Sequence, residues 1–249
     1  MKKLMVVAVF AAMGTAFAVE SSNIVGYQGI GYRQGFQLGT PTFNAVGNEG
    51  MPVKDIVPAG ENVTGGGDVF IQILNNLNQT IKRFYYLTDA DWGVDDGDGW
   101  YEDVNDPSEQ TNYVLQPGES YIMSSAVGAI QLTTSGEVKY PKTIDFRKGF
   151  QLGGDFLPVN VNIKDLTPKG ANVTGGGDVF IQILNNLNQT IKRFYYLTDD
   201  DWGVDDGDGW YEDVNDPSEQ TNYVLQPGEG FIMSSAVGAI QMEYPELSL

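Results

Sequence analysis

An internal duplication constrains this chain more than any other feature. Residues 62 to 131 return as residues 172 to 241 at an offset of 110, and only Ala90/Asp200, Ser120/Gly230 and Tyr121/Phe231 differ among those seventy positions. Upstream, "RQGFQLG" at 33 to 39 returns as "RKGFQLG" at 147 to 153 at an offset of 114, so the first unit carries four extra residues between Leu38 and Lys54. A unit of about 110 residues is the size of an independent domain and too long for a solenoid repeat. The chain is therefore expected to fold as two similar domains, over 19–135 and 136–249, each burying its own core.

Within a unit the pattern is short and strand-like. "DVFIQIL" and "IKRFYYL" are rich in β-branched and aromatic residues, and the "NNLNQT" between them is turn chemistry, which predicts a hairpin. "YVLQPGESYIMSSA" reads as two strands broken at Pro117-Gly118, and "GAIQLTT" as another. No window of eleven or more residues beyond the N-terminal segment keeps a helical apolar period with caps. The expected fold is all-β, two tandem antiparallel β-sandwich domains of jelly-roll-like type.

The pairing of "GFQLG" near the start of a unit with "LQPGESYIMSS" or "LQPGEGFIMSS" near its end resembles a largely uncharacterised module of exported bacterial proteins. That module has a GFxLG opening strand and an LxPGEGF closing strand. The resemblance spans most of both units, with Ser120 at the place of the module's second glycine in the first. It implies an exported β-module and assigns no catalytic residue.

Export is also the reading of the first eighteen residues, "MKKLMVVAVFAAMGTAFA". Lys2 and Lys3, an apolar run and a small-residue end at Ala16-Phe17-Ala18 make the pattern of a secretory signal peptide, and the run from Leu4 to Ala12 is too short to span a bilayer. Localisation is expected to be extracellular or at the cell surface, with no membrane insertion after removal of residues 1–18. The formal charge is −19, and −21 without those residues. Such a surface repels nucleic acid and anionic membranes. The chain has no cysteine and no histidine, which excludes disulfides, Ser-His-Asp and Cys-His catalysis, and zinc, haem or iron–sulfur ligation through those residues.

Charge is concentrated rather than spread. "DADWGVDDGDGWYEDVNDPSE" at 89 to 109 holds nine carboxylates without a basic residue, and its repeat from 199 holds ten, so 19 of the 33 acids sit in two loops. Calcium takes six to eight hard oxygen ligands, and alternating Asp and Gly lets carboxylates and carbonyls converge. Candidate Ca²⁺ ligands are Asp91, Asp95, Asp96, Asp98, Glu102 and Asp103, with Asp201, Asp205, Asp206, Asp208, Glu212 and Asp213 in the repeat. Val94 and Asn105 at the first and twelfth positions depart from an EF-hand. The alternatives are a well-solvated loop and a catalytic carboxylate pair of the glycosidase kind.

All four tryptophans lie in these loops. If exposed, Trp92, Trp100, Tyr101, Trp202, Trp210 and Tyr211 would stack on sugar rings; if buried, they anchor the loop, which is the commoner fate of large rings. Asn62, Asn78, Asn172 and Asn188 open Asn-x-Thr sequons that read as turns, and "TGGGD" at 64 to 68 and 174 to 178 lacks the Lys-Ser/Thr of a phosphate loop and reads as a tight turn.

Two near-identical domains present every surface twice, which suits avidity for polysaccharide or head-to-tail homopolymerisation. Tyr140-Pro141 of the inter-unit segment recurs as Tyr244-Pro245 at the C-terminus, and such a tail would add as a strand to the next molecule beside "SSNIVGYQGIGY". The sequence thus points to a non-enzymatic, calcium-stabilised, self-assembling extracellular protein. A carbohydrate-binding module is the alternative and a carbohydrate-active enzyme the third reading.

Overall fold

Alternation of apolar and polar residues sets the faces of the strands. In "VFIQIL", Val69, Ile71 and Ile73 are buried while Phe70, Gln72 and Leu74 are half-buried on the other side, the period of two expected of a sheet with one face on a core. The computed structural model describes residues 25–45, 50–74, 81–91, 94, 97–105, 107, 109–138, 142–184, 191–201, 207–215 and 219–246. The first unit contributes β1 (Val25–Tyr32), β2 (Gly35–Gly39), β3 (Met51–Pro52), β4 (Val57–Ala59), β5 (Val69–Leu74), β6 (Ile81–Leu87), β7 (Gly99–Tyr101), β8 (Val114–Leu115), β9 (Tyr121–Ser125) and β10 (Ile130–Glu137). The second contributes β11 (Thr143–Phe146), β12 (Gly149–Gly154), β13 (Val161–Asn162), β14 (Thr167–Lys169), β15 (Val179–Leu184), β16 (Ile191–Leu197), β17 (Gly209–Tyr211), β18 (Val224–Leu225), β19 (Gly230–Ser235) and β20 (Ile240–Glu243).

The protein is all-β and antiparallel, as the sequence pattern requires. In the first unit a five-stranded sheet runs β2-β9-β5-β6-β7, a three-stranded sheet β1-β10-β4, and β3 pairs with β8; the second unit repeats this as β12-β19-β15-β16-β17, β11-β20-β14 and β13-β18. The expected hairpin is present, with Phe70 opposite Tyr85 and Leu74 opposite Ile81. The strands on either side of Pro117-Gly118 do not pair with each other: β8 joins β3, and β9 lies between β2 and β5. Helix is limited to single 3₁₀ turns at Val53–Asp55 and Ile163–Asp165 among the described residues.

Each unit closes its sheets over its own core. Ile71, Phe84, Trp100 and Met123 of the five-stranded sheet meet Tyr32 and Leu132 of the three-stranded sheet and Met51 and Leu115 of the ribbon. In the second unit Phe146, Ile181, Phe194, Trp210, Leu225, Met233 and Met242 do the same. Each such side chain contributes about 1.5–3 kcal/mol by burial, which lets a chain without disulfides hold its shape.

The units meet through their Pro-Gly turns. Glu119 and Glu229 each donate a backbone N–H to Gln116 and Gln226 at 2.8 Å, with Gly118 and Gly228 at φ +79°. Gly118 lies against Ile144 of the second unit, and Gly228 against Ile30 of the first. Ile30 and Ile144 are equivalent positions, so the contact is exchanged between the units. One side is reinforced: Thr40 N–H donates to Gly228 O at 3.0 Å, Gly39 bridges Glu229, and Asp155 exchanges backbone hydrogen bonds of 2.9 Å with Gly228 and Glu229. The Gln226–Glu229 turn is thus gripped by both units.

These contacts explain two of the three differences in the duplicated stretch. A Cβ at Gly230 would stand 2.7 Å from Gly39 N and 2.8 Å from Leu38 Cβ, so the inter-unit approach requires glycine there, whereas its counterpart Ser120 is simply buried. Tyr121 shares a 3.0 Å hydroxyl–hydroxyl bond with Tyr32, and in the second unit both partners become phenylalanine, Phe231 and Phe146. Losing both hydroxyls together avoids leaving one buried and unpaired. Ala90/Asp200 is exposed, and nothing in the structure explains it.

The C-terminal segment has intramolecular partners. β20 lies between β11 and β14, Tyr244 N–H donates to Lys142 O at 2.9 Å, and the Tyr244 ring is buried 4.4 Å from Phe156 with its hydroxyl donating to Gly154 O at 3.0 Å. Residues 240 to 244 therefore belong to the second unit's own core and are not a free strand for a neighbour. Tyr140 and Pro141, at the other end of the repeated phrase, lie outside the described residues.

Candidate functional site

The acidic loop begins where β6 ends. Thr88 donates its backbone N–H and its hydroxyl to Asp91 Oδ2 at 2.7 and 3.1 Å, and Asp91 N–H returns to Thr88 O at 2.8 Å. These bonds, backbone N–H to carboxylate and backbone N–H to carbonyl, together close a tight turn at the strand exit. The same carboxylate accepts Gly66 N–H at 3.0 Å. Gly65, Gly66 and Gly67 all have φ between +66° and +76°, three successive left-handed residues that side chains would oppose. "TGGGD" is thus a turn as expected, and Asp91 is what closes it. In the second unit Asp201 holds the equivalent groups with both oxygens, Gly176 N–H on Oδ1 at 2.8 Å and Thr198 on Oδ2 at 2.7 and 3.1 Å. Burial opposes ionisation of Asp91 and Asp201, but the hydrogen bonds outweigh it and hold both carboxyls below their ordinary range.

The other described carboxylates have separate partners. Asp98 and Asp208 accept Asp89 and Asp199 N–H at 2.7 and 2.8 Å. Glu102 and Glu212 pair with Lys82 and Lys192 at 3.0 Å, exposed ion pairs that contribute under about 1 kcal/mol each. Asp103 and Asp213 cap Asn105 and Asn215 at 2.8 Å. Among the described residues no three carboxylates converge as ligands of one ion. Asp95, Asp96, Asp205 and Asp206, with Trp92 and Trp202, lie outside the described residues.

The remaining aromatic candidates for sugar stacking are buried instead. Trp100 and Trp210 are fully buried on β7 and β17, donate Nε1–H to Ile56 O at 2.6 Å and Leu166 O at 2.7 Å, and meet Tyr86 and Tyr196 edge-on at 5.3 Å. Tyr101 and Tyr211, equally buried, donate to Gly97 O and Gly207 O at 2.7 Å. These four rings anchor the acidic loop to the sandwich and offer no face to a sugar.

Three carboxyls outside the acidic loops escaped the sequence reading: Glu119 and Glu229 are half-buried, and Asp155 is fully buried. Glu119 and Glu229 close their own Pro-Gly turns, accepting Tyr113 and Tyr223 hydroxyls at 2.7 and 2.8 Å, and burial raises their pKa. Asp155 has no exposed surface; Oδ1 accepts Leu157 N–H at 3.0 Å and Oδ2 has no protein partner. Burial, with the Glu229 charge adding to it, pushes its pKa up to about 8. A cleft of about 310 Å³ beside it is lined by Ile30, Tyr32, Leu38, Tyr223, Gln226 and Glu229. The only sequence signal for Asp155 is its place in "LGGDFL", where an apolar flank predicts burial.

Comparison with protein-family models, curated proteins and solved structures gave no match. Fold and site together define an antiparallel tandem-domain protein with internally braced acidic loops and a β-bridged junction. No helix among the described residues is long and apolar enough to cross a membrane.

Proposed function

We propose that the protein is an exported, non-enzymatic structural subunit that assembles head-to-tail with copies of itself outside the cell, with calcium stabilising its acidic loops. The observation that carries this reading is the junction. Turn exchange through Ile30 and Ile144, with the Gly39–Glu229 bridge, fixes two nearly identical domains in one body, so every contact surface is offered twice in a set geometry. A body with duplicated surfaces propagates any self-contact into a polymer. The leader-like first eighteen residues support export, and nine carboxylates in 89 to 109 support a divalent cation.

Residues 19–249 keep every described strand and are the form to test. Sedimentation velocity and electron microscopy over a concentration series should show species that lengthen with concentration; a monomer at all concentrations would refute the assembly reading. For calcium, the melting midpoint should rise when the ion replaces chelator. At roughly ten times its dissociation constant calcium contributes about 1.4 kcal/mol per site. An unchanged midpoint removes calcium from the proposal.

A carbohydrate-binding function is the second reading, favoured by exposed aromatic residues on the sheets, Phe36 and Phe150 above all. Enzymatic activity has less support: Glu229 lines the junction cleft, but the carboxyl it interacts with, Asp155, has no exposed surface.

A further inference from the structure

An antiparallel sheet with one face on a core ordinarily turns polar residues to water. On the five-stranded sheets of this protein aromatic and aliphatic rows take much of that face, with the polar Gln72–Arg83 row between them. Their outward rows follow from register: Phe36, Ser124, Phe70 and Tyr85 lie opposite one another across β2, β9, β5 and β6. Phe36 is 61 % exposed, and because Ser124 is small, its ring reaches Phe70 at 5.9 Å. Phe70 in turn meets Tyr85 at 5.9 Å. The row through Leu74 and Ile81 continues the surface, with Ile81 65 % exposed. The second unit repeats the surface with Phe150, Phe180, Tyr195 and Ile191.

We infer that this aromatic sheet face is the self-contact of the assembly, the face of the first unit packing on the face of the second unit in the next copy of the chain. The inference rests on the assembly reading above and adds the surface that carries it.

Two observations select a second copy over a sugar. The rings are not coplanar, Phe36 to Phe70 standing at 67° and Phe70 to Tyr85 at 54°, so they form no continuous flat platform along which a sugar chain could lie. The flat face of Phe70 is also taken: the Arg83 guanidinium lies 4.6 Å over it, held by two bonds to Gln72 Oε1 at 2.7 and 3.2 Å. Arg193 does the same on Phe180 at 4.7 Å with Gln182. What remains are the projecting Phe36 and Phe150 rings and apolar side chains such as Ile81 and Ile191, which interdigitate with another sheet as in a sandwich core.

Charge points the same way. The chain carries −19, yet these paired rows of β2, β9, β5 and β6 contain no carboxylate. Two copies therefore approach there without opposing acids, the only charges in those rows being basic side chains such as Arg83 and Arg193. Four strands of about 4.8 Å spacing and five residues of about 3.4 Å give a face of roughly 330 Å². One face-to-face contact then covers roughly 650 Å², too little to hold two copies alone, so assembly depends on both faces of each chain.

The test is sedimentation velocity on residues 19–249 as wild type, as the double variant Phe36→Ser/Phe150→Ser, and as Ile81→Ser/Ile191→Ser. All four residues are more than half exposed, so melting curves are expected to stay close to wild type and to certify the fold. Association of the wild type, shifted at least tenfold to higher concentration or abolished in both variants, is the expected result. Wild-type association that both variants keep overturns the surface while leaving the assembly reading standing. A wild type that stays monomeric overturns both. A monomer that binds insoluble cellulose or chitin, and loses it on Phe36→Ser/Phe150→Ser, overturns both in favour of carbohydrate binding.

Discussion

Replacing Asp155 with asparagine should remove most of the pH dependence that the unit junction gives to stability. The carboxyl has an ordinary pKa of 3.8 and, buried near Glu229, one of about 8 in the folded chain. Between those values the folded protein holds a proton that the unfolded chain has released, so stability falls as pH rises. This contribution is complete below pH 3.8 and gone above about pH 8. At about 1.4 kcal/mol per pH unit its ceiling is roughly 5–6 kcal/mol. Local opening and water entry should leave about 2–4 kcal/mol, the usual scale of an uncompensated buried charge. Asparagine keeps an oxygen for Leu157 N–H and never ionises. Urea unfolding at pH 5.5, 7 and 9 is the assay. Because the unfolded chain releases its proton above pH 3.8, the variant should already be the more stable at pH 5.5, by about 1–2 kcal/mol, and the gap should widen to about 2–4 kcal/mol at pH 9. Glu229 and Tyr244 interact with the Asp155 charge, so their response to its loss is part of the difference the comparison reads. Profiles that run parallel would refute the reasoning.

Other perturbations follow from the same contacts. Gly230→Ser, which gives the second unit the residue of the first, forces Leu38 and Gly39 away and should cost about 1–3 kcal/mol in urea unfolding. It should also speed hydrogen exchange at the Thr40 amide, whereas Ser120→Gly should leave that amide protected. Trp100→Phe strands the Ile56 carbonyl and leaves a void, for a loss of about 2–4 kcal/mol, and Trp210→Phe should match it through Leu166. Asp91→Ala releases Gly66 N–H and Thr88 together and should cost about 1–3 kcal/mol by melting, with exchange at Gly66 rising. Tyr121→Phe leaves the buried Tyr32 hydroxyl alone and should cost about 1–2 kcal/mol, while Tyr32→Phe/Tyr121→Phe should recover most of it because the second unit already uses that pair.

The sequence by itself determined the periodicities and the duplication. Alternation in "VFIQIL" and "IKRFYYL", glycine in "TGGGD" and "QPGE", and the offset of 110 specify two antiparallel units with their hairpin and turns, because side-chain period and backbone freedom are local properties. It also showed where charge and tryptophan concentrate. The fate of those residues is not local. Trp100 is an anchor because Ile56, 44 residues away, offers a buried carbonyl, and Asp91 is a clamp because Gly66 arrives with its N–H free. Tertiary structure alone decided that Tyr244 completes a core, that Gly230 must be glycine, and that Asp155 is buried at a junction. It alone also turned Phe36 and Phe70 to solvent, since strand period marks two faces but only packing against a second sheet says which face is inside.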